Sequence, residues 1–170
     1  MRATTLPLLA LRGGASKSLL DGVAVHSTLY LGTVMSSLSG CISAGSKEMD
    51  LLGCIIVGLM TAAGGGTLRD VMLDRRVFWM DYTIHLHLSV WTSAFTFLIW
   101  PKIVSSGFKD THLAFLWSDA IGMASCTVIG THIGLQESND YIISVMCGLV
   151  TAIFGGIGRD LLCQERPPMR

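Results

Sequence analysis

The chain has 170 residues, of which 14% are charged and 51% hydrophobic, with a mean hydropathy of +0.57. A water-soluble domain is about 25% charged, so this chain lacks the charge to coat a soluble surface. Its 12 basic and 12 acidic residues cancel and form no basic run, which excludes nucleic acid as an expected partner.

Residues 1–21 carry Arg2, Arg12 and Lys17 around the apolar run Leu6 to Leu11, and read as an N-terminal tail or weak targeting segment. Five uncharged spans follow: Val23 to Ala44, Leu51 to Leu68, Tyr82 to Pro101, Ala120 to Gln136 and Tyr141 to Gly158. Each has roughly the length of a helix that crosses about 30 Å of hydrocarbon. Irregular backbone facing lipid would leave its polar groups unpaired. The spans therefore predict an all-α, integral, multi-pass membrane protein with about five transmembrane helices and the lipid bilayer as partner.

The first span mixes Ser27, Thr28, Thr33, Ser36, Ser37, Ser39 and Ser43 with Gly32 and Gly40. Small residues spaced in this way let helices approach closely, so this helix is expected inside a bundle. Gly45 to Asp50 then forms a polar turn, with Asp50 placed to cap the next helix. In the second span, Gly64-Gly65-Gly66 is costly in a helix interior and predicts a break or unwound turn. Thr67 to Leu73 is expected to resume as a short helix, Asp74-Arg75-Arg76 to reach water, and Trp79 and Tyr82 to mark the interface. The third span holds larger side chains and few glycines, which suits an outer, lipid-facing helix ended by Pro101. Its His85 and His87 are two apart and face different sides, as packing or interfacial residues would rather than a metal pair.

The fourth and fifth spans repeat the first and second at an offset of 90 residues. Gly32, Gly40 and Asp50 recur as Gly122, Gly130 and Asp140, and Gly58 to Asp70 recurs without a gap as Gly148 to Asp160. The domain organisation predicted from this repeat is a first three-helix unit over 22–101, a linker over 102–118 and a second, truncated unit over 119–170. A counterpart of the third helix is not found in the second unit. A unit of three crossings re-enters from the opposite side, which makes this an inverted repeat with glycine-broken second and fifth helices. The positive-inside rule does not choose an orientation, because six basic residues fall on each side.

Paired helix breaks offer backbone amides and carbonyls to a polar ligand near the bilayer centre. The candidate pathway for a small solute or ion is Thr61, Gly64, Gly65, Gly66, Thr151, Phe154, Gly155 and Gly156. A small zwitterion or an ion fits such a site. The plainer alternative is that the glycines only let helices touch. Arg69, Asp70, Arg159 and Asp160 read either as structural ion pairs that lock the bundle or as gating charges. His132 reads as a packing residue or, alternatively, a proton-coupling one. The five cysteines form no CxxC and read as small buried thiols. No nucleotide loop, nucleophile elbow or zinc-hydrolase motif is present, so no enzyme activity, cofactor or metal site is expected.

Gly64-Gly65-Gly66-Thr67-Leu68-Arg69-Asp70-Val71 with Val77-Phe78-Trp79, Asp119-Ala120-Ile121-Gly122, and Gly155-Gly156-Ile157-Gly158-Arg159-Asp160 together resemble the bacterial-type glycine transporter domain. That family was long catalogued as uncharacterised membrane proteins and is related in architecture to the trimeric intracellular cation channels. The resemblance covers about Leu29 to Pro167. It implies two inverted three-helix halves, transport of a small solute such as glycine, and an oligomer or a helix-supplying partner. The chain departs from the family pattern at Phe154 and at Leu29-Tyr30, where a glycine and an aspartate commonly stand. Three functions compete at this stage: a small-solute transporter, a cation channel, and a non-transporting membrane scaffold, complex subunit or gene fragment.

Overall fold

The computed structural model describes residues 14–105, 111–138 and 140–163. These form six α-helices: α1 (Gly14–Gly45), α2 (Leu51–Met72), α3 (Phe78–Asp81), α4 (Ile84–Ser105), α5 (Thr111–Ser138) and α6 (Tyr141–Leu162). Five are long and α3 is a single turn. Residues 1–13 of the expected tail lie outside the described residues. Residues 14–21, read as tail, are the first turns of α1.

Both expected caps are present. Asp50 accepts a hydrogen bond from the Gly53 amide at 2.9 Å, and Asp140 accepts one from the Ile142 amide at 2.8 Å, so α2 and α6 start at matching positions of the repeat. The C-terminus of α2 is closed by amides that reach back. Leu73 N–H donates to the Arg69 carbonyl and Arg75 N–H to the Asp70 carbonyl, around Asp74 at a φ of 50°.

Burial follows a pattern suited to lipid. Along α4, His85, Ser89, Ser93 and Thr96 are buried while Trp91, Phe95 and Leu98 are each about two-thirds exposed or more. Water would invert that arrangement, whereas hydrocarbon accepts the apolar face and leaves polar groups to pair inside. All but the Ser93 hydroxyl do pair, and α1 supplies several of the contacts: Thr33 Oγ1 lies 3.2 Å from His85 Nδ1, Ser37 Oγ donates to Ser89 Oγ at 2.8 Å, and Cys41 Sγ donates to the Ser93 carbonyl at 3.2 Å. Three positions spaced one turn apart on α1 thus meet three spaced alike on α4. The small, hydroxyl-rich α1 is central, with Ser36, Ser37, Ser39 and Ala44 buried. By length and apolar composition, α2 and α6 are able to cross a membrane.

Two expectations are corrected. First, α2 and α6 are unbroken helices through Gly64-Gly65-Gly66 and Phe154-Gly155-Gly156. The glycines permit contact instead. A Cβ on Gly65 would overlap the Thr151 carbonyl oxygen, and a Cβ on Gly155 would overlap that of Thr61. The close crossing of α2 with α6 outweighs the propensity cost of about 1 kcal/mol per glycine. Second, α4 continues past Pro101 to Ser105. Membrane helices tolerate a proline where neighbours re-satisfy the freed carbonyl. The linker is correspondingly shorter than 102–118, since α5 starts at Thr111.

The reciprocity of these contacts is the physical form of the repeat. Positions 61 and 155 meet as 151 and 65 do, and Gly40 packs on Thr61 and Gly58 as Gly130 packs on Thr151 and Gly148. A pseudo-twofold axis passes between the halves, at the α2–α6 and α1–α5 contacts.

Candidate functional site

Two internal cavities flank the α2–α6 crossing. The larger, about 40 Å³, is lined by Leu29, Gly32 and Thr33 of α1, Ala62, Gly66 and Arg69 of α2, Phe78 of α3, Cys126, Ile129 and Ile133 of α5, and Thr151 of α6. The smaller, about 10 Å³, is lined by Ser36 of α1, Thr61 of α2, Asp119, Met123 and Cys126 of α5, and Thr151, Ala152 and Gly156 of α6. Cys126 and Thr151 line both. Shifted by the repeat offset, Leu29, Thr33, Ala62, Gly66, Cys126 and Thr151 of the larger become Asp119, Met123, Ala152, Gly156, Ser36 and Thr61 of the smaller. The two cavities are symmetry mates, filled to different extents.

The charged groups beside them differ in the same sense. In the second half, Arg159 is almost buried and sits in a closed network. Its Nη1 donates to Asp119 Oδ1 at 2.5 Å and to Ser39 Oγ at 2.8 Å, its Nε donates to Asp160 Oδ1 at 2.8 Å, and its guanidinium lies 4.9 Å from the Phe115 ring centroid. Ser39 also donates to Asp119, so α1 of the first half is bolted to α5 and α6 of the second. In the first half the position of Asp119 is held by Leu29. Arg69, 2% exposed, places Nε and Nη2 on one oxygen, Asp70 Oδ1, at 2.9 and 2.7 Å. Arg75 Nε approaches that oxygen at 3.6 Å, and the Phe78 amide donates to Asp70 Oδ2 at 2.8 Å. Asp70 is thereby completely buried, as a carboxylate with that many donors is able to be.

Of the residues expected to line a pathway, Thr61, Gly66, Thr151 and Gly156 line the cavities. Gly65 and Gly155 form the helix crossing, and Gly64 lies beside it against Met60. Phe154 is 41% exposed on the outer surface of α6, so the structure takes it away from the cavities, because its position points away from the α2 contact. Both threonine hydroxyls donate to their own helix, Thr61 to the Val57 carbonyl at 2.7 Å and Thr151 to the Cys147 carbonyl at 2.6 Å. Their remaining lone pairs are what they offer a ligand. His85 packs between Tyr30 and Phe78, and His132 pairs with Gln136 on its own helix. Asp119, Ser36 and Cys126 were not singled out as site residues. The signal for Asp119 is in the sequence: it is an acidic residue at the edge of an apolar span, and its repeat partner is a leucine.

Comparison with known proteins gives a consistent picture. A profile described as glycine transporter matches residues 28–101 and 116–170. The chain is 33% identical over 140 residues to the UPF0126 inner membrane protein YadS of Escherichia coli, a match that covers 81% of this chain and 65% of that protein. It is 33% identical over 155 residues to a UPF0126 membrane protein of Vibrio cholerae, covering 89% and 62%. The structure resembles the trimeric intracellular cation channel orthologue from Rhodobacter sphaeroides with a TM-score of 0.75 at 32% identity, covering 86% of this chain and 73% of that one. The chain thus spans somewhat under two-thirds of the length of the curated relatives it matches.

Proposed function

The chain belongs to the glycine transporter family of multi-pass membrane proteins, and on that premise we propose that it carries a small polar solute across a membrane by way of the paired cavities at the α2–α6 crossing. The observation that supports this most directly is the pair of small cavities, related by the repeat and both lined by Cys126 and Thr151, beside the α2–α6 crossing. An inverted repeat with its site between the halves is the arrangement of many secondary transporters, where rocking of one half against the other alternates access. Thr61, Thr151, Gly66 and Gly156 line the route, and the glycine crossing of Gly65 with Gly155 is the contact about which the halves rock. A small amino acid such as glycine is the cargo that suits cavities this small, one lined by Arg69 and the other by Asp119. Arg159 with Asp119 and Asp160 holds the bundle, and Arg69 with Asp70 holds the end of α2.

Cation conduction is the second reading, favoured by the 32% identity and shared fold with channels whose descriptions name them trimeric cation channels. Assembly with further copies, through the exposed apolar faces of α4 and α6, accompanies that reading. The two functions separate in proteoliposomes that hold the full chain. Saturable uptake of labelled glycine, lost in Gly65→Leu, Gly155→Leu, is expected of the transporter. Unsaturating potassium flux without glycine uptake overturns it in favour of a channel.

A further inference from the structure

The two cavities occupy equivalent places, yet one is about 40 Å³ and the other about 10 Å³. The difference has a visible cause. In the second half Met123 stands where the smaller Thr33 lines the larger cavity, and the Asp119 carboxylate reaches across to Arg159 where its counterpart, Leu29, lies in the wall shared with Arg69. Leucine brings no acceptor. Arg69 is left with its two hydrogen bonds on a single oxygen of Asp70, and its Nη1 donates to no described residue. That Asp70 carboxylate is also approached by Arg75 at 3.6 Å, although Arg75 has its own closer partner in the half-exposed Glu137 at 3.1 Å. Near the smaller cavity a single guanidinium, that of Arg159, has two carboxylates, Asp119 and Asp160.

We propose that the larger cavity binds the carboxylate of a small solute, held by the Arg69 guanidinium in the place that Asp119 takes beside Arg159 in the other half. This rests on the solute-transport reading and names the chemical class of the solute. A planar guanidinium with free donors is matched to a carboxylate, and a buried positive charge with an incomplete set of acceptors gains most from one. Size sets the upper limit. At about 10–15 Å³ for each water centre, a 40 Å³ cavity has room for roughly three waters, which is the bulk of glycine or acetate. Thr33 and Thr151 supply hydroxyl oxygens for the rest of the ligand, and Leu29, Phe78 and Ile129 keep the remaining wall apolar.

The test uses the full chain in nanodiscs, with labelled glycine as probe and acetate and methylammonium as competitors. Acetate is expected to displace glycine and methylammonium at equal concentration is not. Leu29→Asp supplies the missing carboxylate from the protein itself. It is expected to weaken glycine binding by about tenfold or more while raising the thermal midpoint of the ligand-free protein, whereas Leu29→Asn stays within about threefold of the parent. Displacement by methylammonium and not acetate, or unchanged binding in a folded Leu29→Asp, overturns the carboxylate assignment and leaves glycine transport standing. Potassium flux from protein that binds neither glycine nor acetate overturns both. If Leu29→Asp does not fold, the competition on the parent chain decides alone.

Discussion

The two halves of this molecule share a plan and differ in how they are covered. In the first half α3 and α4 pack over α1 and α2, and Asp70 ends up completely buried under the Phe78 amide and two arginines. In the second half the equivalent Asp160 has 68% of its side chain exposed and pairs with Arg159 alone. The same contrast runs down the helices. On α1, Thr33, Ser37 and Cys41 are buried against α4, whereas their counterparts Met123 and Thr127 on α5 are exposed, and Thr127 turns its hydroxyl to the Met123 carbonyl of its own helix. On α6, Val145, Leu149 and Ile153 form an exposed apolar stripe where α2 has Ile55, Leu59 and Ala63 half-covered. One sequence pattern therefore gives a buried ion-pair network or a surface one according to what lies on top, so repeat identity predicts backbone geometry better than it predicts the energetic weight of a side chain.

Substitution at the paired aspartates tests that statement with the largest expected effect. Asp70→Asn removes the carboxylate partner of the buried Arg69 guanidinium and is expected to cost about 3–5 kcal/mol. Asp160→Asn removes a mostly exposed partner and is expected to cost about 0–1 kcal/mol. Denaturant titration of both variants in the same detergent checks the ratio, and equal losses break the comparison. At the crossing the halves are expected to behave alike. Gly65→Ala and Gly155→Ala each drive a methyl into a carbonyl oxygen of the opposite helix, and should each cost about 1–3 kcal/mol despite the better helix propensity of alanine. A thermal shift present in one and missing from the other would show that the pseudo-twofold contact is lopsided.

Much of this was legible in the chain. The repeat, the helix spans, the Asp50 and Asp140 caps, the interior position of α1 and the lipid-facing character of α4 all follow from local spacing, and local spacing is what sequence displays. The glycine runs were misjudged because propensity describes an isolated helix, whereas Gly65 and Gly155 are held helical by a neighbour 90 positions away. Phe154 adjoins Gly155 in sequence, yet helical geometry turns it outward. The role of Asp119 depends on three helices, since its oxygen takes bonds from Ser39 of α1 and Arg159 of α6. Only the mismatch with Leu29 in the repeat hinted at it.

Two smaller substitutions sharpen the contrast in cover. Trp79 Nε1 donates to Thr67 Oγ1 at 2.9 Å, tying the chain around α3 to the end of α2, and the repeat counterpart of Thr67 is the exposed, apolar Ile157. Trp79→Phe keeps most of the ring and loses the bond, for an expected cost of about 1 kcal/mol in a thermal melt. Thr67→Val should cost about the same, and the double variant little more than either, because the two changes remove one interaction.

The smallest effect belongs to Ser93, and it carries a sign. Its Oγ is buried and has no hydrogen-bond partner among the described residues, while its carbonyl takes the Cys41 thiol and its hydroxyl presses on Gly58. A hydroxyl in that position has lost its solvent without regaining a partner, which costs on the order of 1 kcal/mol or more. Ser93→Ala removes the unpaired oxygen and nothing else. It is expected to leave stability unchanged or to raise it by up to about 1 kcal/mol, opposite in sign to the neighbouring Ser89→Ala, which breaks the bond from Ser37. The two alanine variants sit one turn apart on the same face of α4, so their thermal midpoints in one detergent isolate the hydrogen bond from the packing. Were Ser93→Ala to destabilise as much as Ser89→Ala, the cover that α4 provides would depend on the bulk of its small residues rather than on the pairing of their hydroxyls.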